Sequence, residues 1–360
     1  MQENISGIQQ IGVGISNVNE AFKWYRQNLG FDIPVVDAPG TAELMLKYTG
    51  NKPQNRHAII AVNIQGGGGL EIWQYMDRTP KAAEFQVQTG DLGIYITKIK
   101  SSNVIAAFNF FKSRGEKLIG ELQKDFQGNP HFFVEDPFGN IFQIVREEHI
   151  FKRTQSYTGG VFGAIVGVSN IEKSIEFYKN VLGYDKIIYS EEGIFPDFSA
   201  LPRGDSKFSR VLLTHSNPRQ GAFSHLLGSS QIELIKIHDI EPKKIYENRF
   251  WGDLGFIQIC YDVTNMGAIK NHCEANGSLF TVDSNPEIYE KGGEIFGMGD
   301  AAGHFTYIED PDGTLIEFVE THKIPILKKI GWYLNLKKRN QQKPLPNWML
   351  RTLAWGRIKD

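Results

Sequence analysis

The 360-residue chain is poor in cysteine and lacks a long apolar run. Its two cysteines, Cys260 and Cys273, are too few for a disulfide framework, and we expect both to be reduced and structural. The chain begins without a charged region followed by an apolar run, and no stretch of about 18 apolar residues occurs. These absences argue against export and against a membrane span, so the sequence predicts a cytoplasmic protein.

Acidic residues are almost missing from the C-terminal end. Residues 323–360 hold ten Lys and Arg and one Asp, which gives +9 and leaves −11 of the total net charge of −2 for the rest. An acidic body of this kind argues against a nucleic-acid partner. The tail also contains Trp332, Tyr333, Trp348 and Trp355. Aromatic residues spaced in this way favour a helical tail docked on the body, and contact with an anionic membrane surface is the less favoured alternative.

The chain repeats its own sequence. Residues 15–31, ISNVNEAFKWYRQNLGF, align without a gap to 168–184, VSNIEKSIEFYKNVLGY. Residues 134–145, VEDPFGNIFQIV, align equally well to 308–319, IEDPDGTLIEFV. Internal similarity over such a period indicates two tandem halves.

Each half contains two modules of strand, helix and three strands. In the first module a strand-like run, residues 8–15, is followed by Ser-Asn, which caps a helix that ends at Gly30. Three strand patterns complete the module, at 42–49, 56–65 and 69–76. The order returns more weakly in the second and fourth modules, whose last strands follow Asp-Pro-x-Gly turns. The Gly66–Gly69 run lacks the sequence that follows a phosphate loop and predicts a flexible hairpin.

Paired βαβββ modules with helices ending YRQNLGF or YKNVLGY, and last strands introduced by EDPFG or EDPDG, resemble the vicinal oxygen chelate superfamily. This superfamily includes glyoxalase I, methylmalonyl-CoA epimerase, extradiol dioxygenases and bleomycin-resistance proteins. The resemblance implies an α+β fold of two tandem domains, each a pair of modules forming a cupped mixed sheet, with a basic C-terminal extension. The expected domains are 1–155, with modules 8–76 and 90–147, then 156–322, with modules 161–237 and 253–321, and the tail 323–360.

The resemblance also implies two metal-ligand positions in each module, one on its first strand and one on its last. From the first module to the fourth they fall on Gln10 and Glu71, Gly93 and Gln143, Gly163 and Glu233, and Gln258 and Glu317. Pairing of modules within each half leaves both sites short of one side chain. Pairing across halves, as in domain-swapped and fused glyoxalase I enzymes, makes one complete site and one lacking two ligands. The sequence favours this second arrangement, because it places both missing ligand side chains in the same site.

The complete set is Gln10, Glu71, Gln258 and Glu317. Two carboxylates and two amide oxygens would balance a divalent cation, and hard oxygen donors suit Mg, Mn, Co or Ni better than Zn, although the metal's identity stays open. Without the resemblance, hydrogen-bonded or exposed Gln and Glu side chains would be the ordinary interpretation.

Strand alternation predicts the surroundings of this set. Trp73 and Tyr75 share a strand face with Glu71, and Cys260 shares one with Gln258, so we expect these three residues to line the pocket. His57, His131 and His304 align with no ligand position and are interpreted as core or rim residues.

No histidine occupies a ligand position, which disfavours an extradiol-type dioxygenase. The Gln and Glu set resembles glyoxalase I, so the expected function is a metal-dependent lyase or isomerase of glyoxalase I or epimerase type. Glu71 and Glu317 would transfer a proton α to a carbonyl of a small oxygenated substrate. Because glyoxalase I usually has at least one histidine ligand, glutathione dependence stays open, as does the choice between monomer and homodimer. The alternative is a non-catalytic small-molecule binding protein resembling the bleomycin-resistance proteins.

Overall fold

The computed structural model describes residues 4–287, 296–298, 301–327 and 332–359, which form two curled mixed sheets with helices packed against them. The strands of these residues are β1 (Asn4–Gly14), β2 (Ile33–Thr41), β3 (Asn55–Val62), β4 (Gly69–Tyr75), β5 (Gly93–Ser101), β6 (Lys117–Lys124), β7 (Pro130–Glu135), β8 (Ile141–Arg146), β9 (Val161–Gly167), β10 (Lys186–Gly193), β11 (Phe208–Thr214), β12 (Gln231–Ile237), β13 (Gly255–Thr264), β14 (Val282–Asp283), β15 (Phe296–Met298), β16 (Ala301–Glu309), β17 (Leu315–Leu327) and β18 (Trp332–Asn335). The α-helices are α1 (Val18–Leu29), α2 (Val104–Ser113), α3 (Ile171–Asn180), α4 (Ser224–Leu227), α5 (Met266–Ala275) and α6 (Asn347–Arg351).

Each sheet takes one module from each half of the chain. The outer-module sheet contains modules one and four in the order β14-β16-β17-β13-β1-β4-β3-β2, with β15 on β16 and β18 on β17. The inner-module sheet contains modules three and two in the order β10-β11-β12-β9-β5-β8-β7-β6. The halves meet through two central antiparallel pairs, β1 with β13 and β5 with β9. This is the pairing across halves that the ligand positions favoured.

The helix ends follow the capping pattern of the sequence. The Asn17 side chain accepts hydrogen bonds from two backbone amides in the first turn of α1, and Asn170 caps α3 in the same way. Helix α1 ends at Gly30, whose φ of 70° belongs to the left-handed region that glycine adopts without strain.

The second strand of module one differs from the prediction. Residues 42–49 form a loop with a 3₁₀ turn at Leu46–Tyr48, and the strand is β2, one segment earlier. Prolines at 34 and 39 weakened its strand pattern in the sequence. β2 tolerates them because it is an edge strand, where one row of backbone amides needs no partner.

The Gly66–Gly69 run lies in the connection between the antiparallel strands β3 and β4, so the predicted hairpin is confirmed, but the run is a buried junction and not a flexible loop. Gly68 and Val161 exchange two backbone hydrogen bonds, both 2.8 Å long, which connect the segment before β4 to the start of β9. A Cβ on Gly67 would lie 2.8 Å from the carbonyl oxygen of Val161, which belongs to the second half. The glycines therefore allow backbones from both halves to meet closely.

Two buried tyrosine–aspartate contacts hold the sheets together. Tyr25 of α1, which packs on the outer-module sheet, donates to Asp136 at 2.6 Å in the turn between β7 and β8. Tyr178 of α3, on the inner-module sheet, donates to Asp310 at 3.2 Å in the turn between β16 and β17. Burial raises the pKa of both carboxyls, to about 6 for Asp310, although their hydrogen bonds act in the opposite direction. One continuous apolar core between these contacts contains residues of both sheets.

The C-terminal segment lies against the body but leaves large side chains in solvent. Leu336, Leu345 and Leu350 are buried in a cluster with residues of the body. Trp348 and Trp355 are 68% and 86% exposed, so the expectation of docked aromatic residues is wrong for these two. Leu350, which lies between them in the sequence, is buried against the body. No helix of the described ranges is long and apolar enough to cross a bilayer.

Tyr25→Phe is expected to lower the free energy of unfolding by about 1–3 kcal/mol, because a buried carboxyl loses one of its donors. Urea unfolding measures the change. Tyr157→Phe, at a residue that is 46% exposed, is the control and should stay within about 0.5 kcal/mol of wild type. Equal effects of the two substitutions would contradict the role given to the Tyr25–Asp136 contact.

Candidate functional site

Strand register in the outer-module sheet brings the four sequence-predicted ligands together. They lie on four adjacent strands, β4, β1, β13 and β17. Gln10 pairs with Cys260 across the β1–β13 ladder, and Cys260 pairs with Glu317 of β17. On the other side Gly12 of β1 pairs with Glu71. Residues from the two ends of the chain therefore face one point.

One amide connects the two carboxylates. The Gln258 Nε2 atom lies 2.9 Å from Glu71 Oε2 and 3.4 Å from Glu317 Oε2. Gln10 Nε2 also reaches Glu71 Oε2, at 3.4 Å. A Cβ on Gly12 would lie 2.8 Å from the Gln258 amide carbon, so a glycine at this position leaves room for the cluster. We call these residues, Gln10, Glu71, Gln258 and Glu317, the four-residue cluster.

The cluster concentrates negative charge where solvent is scarce. Gln258 and Glu317 are buried, and Glu71 keeps partial exposure. Burial raises the pKa of both carboxyls, and the charge of Glu71 raises the pKa of Glu317 further. Arg56 attracts Glu71 and acts on its pKa in the opposite direction. No ion pair reaches either carboxylate within the part of the chain that the structure describes.

Aromatic side chains cover the cluster. Trp251, in the segment between β12 and β13, donates from Nε1 to Gln258 Oε1 at 2.9 Å and packs edge-on against Trp73, with ring centroids 4.7 Å apart. The Tyr75 hydroxyl donates to the Trp251 carbonyl oxygen. Trp73 and Tyr75 thus lie where the sequence predicts, in the cup, which is the curled face of the sheet that carries the four-residue cluster. Trp251, which gave no sequence signal, fills the space between these two residues and the cluster. All three are buried.

Cys260, the third residue predicted for the pocket, is fully buried beside the carboxylates. Its Sγ lies 3.7 Å from Gln9 Oε1. Burial and the neighbouring Glu317 charge raise its pKa well above the ordinary value, so the side chain stays a thiol. A protonated, buried thiol is a poor nucleophile.

The donor set suits a cation once both amides are rotated. The described residues contain no group of three His, Cys, Asp or Glu side chains able to hold a metal, so amides have to complete any site. Gln258 now directs its nitrogen towards the carboxylates and its oxygen towards Trp251. Gln10 also directs its nitrogen towards Glu71, so both amides have to rotate, at almost unchanged shape, to turn their oxygens towards the acids. The Trp251 Nε1–H then loses its acceptor on Gln258, so Trp251 has to move as well. Glu71, Glu317 and the two amides then form a hard oxygen set.

The inner-module sheet provides an internal comparison, and its register corrects one alignment. Lys98 of β5 pairs with Gln143 and Gly163, as Cys260 of β13 pairs with Glu317 and Gln10. Ile96 lies two residues before Lys98, and Gln258 lies two residues before Cys260. Ile96 is therefore the counterpart of Gln258 in the inner-module sheet.

The assignment of Gly93 to that position was wrong by three residues. Strands β5 and β13 share too few side-chain types to fix a register from sequence. The structure leaves the inner-module sheet with Gln143 and Glu233 at its ligand positions, and with glycine and isoleucine at the other two.

The remaining carboxylate of this sheet is neutralised by the protein itself. Lys98 Nζ lies 2.6 Å from Glu233 Oε2, and Arg210 contacts Glu233 Oε1 through Nε at 2.8 Å and Nη2 at 2.7 Å. Tyr189 donates to the same oxygen at 2.8 Å. Arg210 also pairs with Asp197, at 2.8 Å and 3.0 Å. Two buried cations therefore balance two buried anions.

These pairs decide the protonation of Glu233. Burial alone would raise its pKa, but Arg210 and Lys98 outweigh that effect and hold the pKa well below the ordinary value. The sequence signal for this network was weak. Lys98 stands in the apolar strand pattern IYITKIK, where a lysine is unusual, whereas Arg210 occupies an unremarkable strand position. His131, interpreted as a core or rim residue, is buried at the margin of the network and contacts Gln143 at 3.0 Å.

Lys98→Met is expected to destabilise the protein by about 3 kcal/mol at pH 7, the lower end of the range for breaking a buried ion pair, because Arg210 remains. Glu233 has a depressed pKa, so its contribution is present above the unfolded-state pKa of about 4.3 and is lost as the pH falls. The difference from wild type should therefore narrow below about pH 4.

Denaturant unfolding at a series of pH values checks this result. Lys117→Met, which removes an exposed pair with Glu135, is the control and should cost less than about 1 kcal/mol. A Lys98→Met protein as stable as the control at neutral pH would show that the buried pair contributes nothing.

The comparisons with known proteins agree with this architecture. The family model described as Glyoxalase/Bleomycin resistance protein/Dioxygenase superfamily matches residues 7–144 and 160–318. Glyoxalase I from Zea mays is 14% identical, with a TM-score of 0.51 over 89% of this chain and 92% of that one. A Bacillus subtilis protein provisionally described as a dioxygenase is 13% identical, with a TM-score of 0.55 over 99% and 97%. No curated protein matches this chain by sequence.

Proposed function

The chain belongs to the Glyoxalase/Bleomycin resistance protein/Dioxygenase superfamily, and we propose that it is a metal-dependent lyase or isomerase that transfers a proton α to a carbonyl. One observation carries the proposal. Glu71 and Glu317 converge in a buried cup to which the described residues bring no ion pair, whereas the equivalent cup of the inner-module sheet contains Lys98 and Arg210. A buried site that holds two carboxylates, with no lysine or arginine ion-paired to them among the described residues, is suited to bind a cation.

The roles of the four residues follow from their positions. A divalent cation held by the four-residue cluster would supply Lewis-acid stabilisation of negative charge on the substrate oxygen. Glu71 keeps partial exposure and is the carboxylate placed to accept and return a substrate proton. Glu317 is more deeply buried and would serve as the second acid and as a ligand. Gln10 and Gln258 orient both carboxylates through their amide groups.

Access to the cluster requires movement of Trp251. This side chain lies between the carboxylates and Trp73, and its backbone is held by Tyr75 and by a 2.9 Å hydrogen bond from its amide to the Tyr48 carbonyl. A substrate that displaces the indole would be enclosed by aromatic walls, which exclude water from the reacting atoms. The substrate we infer is a small oxygenated carbonyl compound with an acidic α-hydrogen.

The second candidate is a non-catalytic binding protein. It is favoured by the aromatic content of the cup, where Trp73, Tyr75, Trp251 and Tyr307 are buried together. In that case a flat apolar ligand would replace Trp251 against Trp73, and the carboxylates would act only as hydrogen-bond acceptors. The enzyme requires Glu317 as a metal ligand, whereas the binding protein requires it only as a hydrogen-bond acceptor.

Glu317→Gln tests the cation site directly, because it gives the outer cup the residue type found at Gln143 in the inner cup. Purified wild-type protein incubated with Mn, Co, Ni, Mg or Zn is expected to retain about one divalent ion per chain after gel filtration. Glu317→Gln should weaken metal binding by more than about 100-fold. A loss of this size exceeds the loss expected when the removed residue only hydrogen-bonds a metal ligand. Elemental analysis gives the stoichiometry.

Gln143→Ala, at the counterpart position, is the matched control and should retain the metal content of the wild type. Equal metal loss in both variants, or no retained metal in the wild type under saturating conditions, would count against the outer cup as a metal site.

The chemical step is tested by α-proton exchange in D2O. Metal-loaded protein is incubated with a panel of small α-hydroxyketones and α-hydroxyacids, and deuterium uptake is followed by NMR. Glu71→Gln should slow exchange by about 100-fold or more, the usual cost of losing a general base. Gln143→Ala should leave the rate unchanged. Absence of exchange across the panel, together with metal-independent quenching of tryptophan fluorescence by an aromatic ligand, would favour the binding protein.

A further inference from the structure

The C-terminal helical segment, α6 and the 3₁₀ turn Thr352–Gly356 that continues it, has two chemically different faces. Leu350 is buried in the body's apolar cluster, with Met349 and Leu353 partly buried beside it. Trp348 and Trp355 point away from the body, at 68% and 86% exposure. One face therefore fixes the segment to the protein, and the other presents two indoles to solvent.

The two indoles act as a pair. They are seven residues apart, across one α-helical turn and the 3₁₀ turn that follows it, and both are exposed while Leu350 between them is buried. Arg351 lies one turn after Trp348 and is also exposed. Soluble proteins seldom leave large aromatic side chains this accessible, and adjacent ones mark an interaction surface.

The surroundings of this pair carry positive charge. Residues 333–359 contain seven Lys and Arg and no acidic residue. Two acidic side chains at and just before neighbouring β2 are already engaged, since Arg357 lies 2.6 Å from Asp32 and His57 lies 2.7 Å from Asp37. The partner that matches exposed indoles within a basic surface has anionic groups above an apolar layer.

We propose that Trp348 and Trp355, with the basic residues around them, bind the surface of an anionic phospholipid bilayer. The indoles lie at the level of the headgroups, where an apolar ring with a polar N–H is stabilised, and lysine and arginine contact the lipid phosphates and carboxylates. The segment lies along the membrane plane, because its Leu350 face stays on the protein. A second copy of the chain is a poorer partner, since a two-fold contact would bring this basic surface against itself.

The test is flotation of the full-length chain with vesicles of phosphatidylcholine alone or with about 30% phosphatidylserine. We expect at least about tenfold more protein on the anionic vesicles, a blue shift of tryptophan emission, and loss of binding as salt is raised. Trp348→Ser combined with Trp355→Ser should abolish the difference. Both positions are exposed, so the variant is expected to fold, and circular dichroism confirms this before use.

Leu279→Ser is the matched control, because Leu279 is 66% exposed outside the tail, and it should bind anionic vesicles like the wild type. Undiminished binding of the double tryptophan variant would overturn the proposal, as would equal binding of the wild type to both vesicle types. Tight binding of a single-stranded oligonucleotide that anionic vesicles fail to displace would overturn it too. So would a dimer in light scattering that only the tryptophan substitutions dissociate.

Discussion

The antiparallel pairing of β1 with β13 is the interaction on which the four-residue cluster depends. These strands are about 250 residues apart in the chain, and their ladder runs from Asn4 opposite Thr264 to Gly14 opposite Gly255. It places Gln258 diagonally across from Gln10, whose direct partner is Cys260, and each strand then carries a parallel neighbour that contributes a glutamate. If modules paired within each half instead, no site would contain both glutamines. The exchange between halves is thus a condition for assembling the four-residue cluster and not only a feature of topology.

The two sheets solve one electrostatic problem in two ways. Both retain a glutamate at the same place in the cup, Glu71 in one and Glu233 in the other. In the inner-module sheet Lys98 and Arg210 come within 3 Å of that acid and fix its charge permanently. In the outer-module sheet the position of Lys98 is taken by Cys260, and a second acid, Glu317, faces the first. Different residues at matched positions of repeated modules account for one cup whose carboxylate is paired with two cations and one in which two carboxylates lie beside amides.

The sequence revealed the periodic features and missed the non-periodic ones. Helix ends at Asn17 and Gly30 were predictable because the capping pattern recurs between modules, and the cluster of two glutamines and two glutamates was predictable from the ligand positions that the superfamily resemblance implies. The strand β2 was missed since an edge strand need not show strong alternation. Trp251 lies in an irregular segment, and only the folded chain shows that it covers Gln258. The network around Arg210 was missed for the same reason, because which charges meet inside a cup is decided by strand order.

The pairing of modules across halves also governs how this chain reaches its structure. A ribosome releases the first half with β1 and β5 each lacking a central partner, and β1 finds its own only when β13 has emerged. Contacts of such long sequence separation form late and slowly, and unpaired strand edges invite association with other chains in the meantime. Co-translational holding by chaperones is consequently a larger requirement for this architecture than for a protein whose halves each close their own sheet. A nascent chain stalled before β13 would already contain β9 to pair with β5, but the central edge of β1 would still lack its partner.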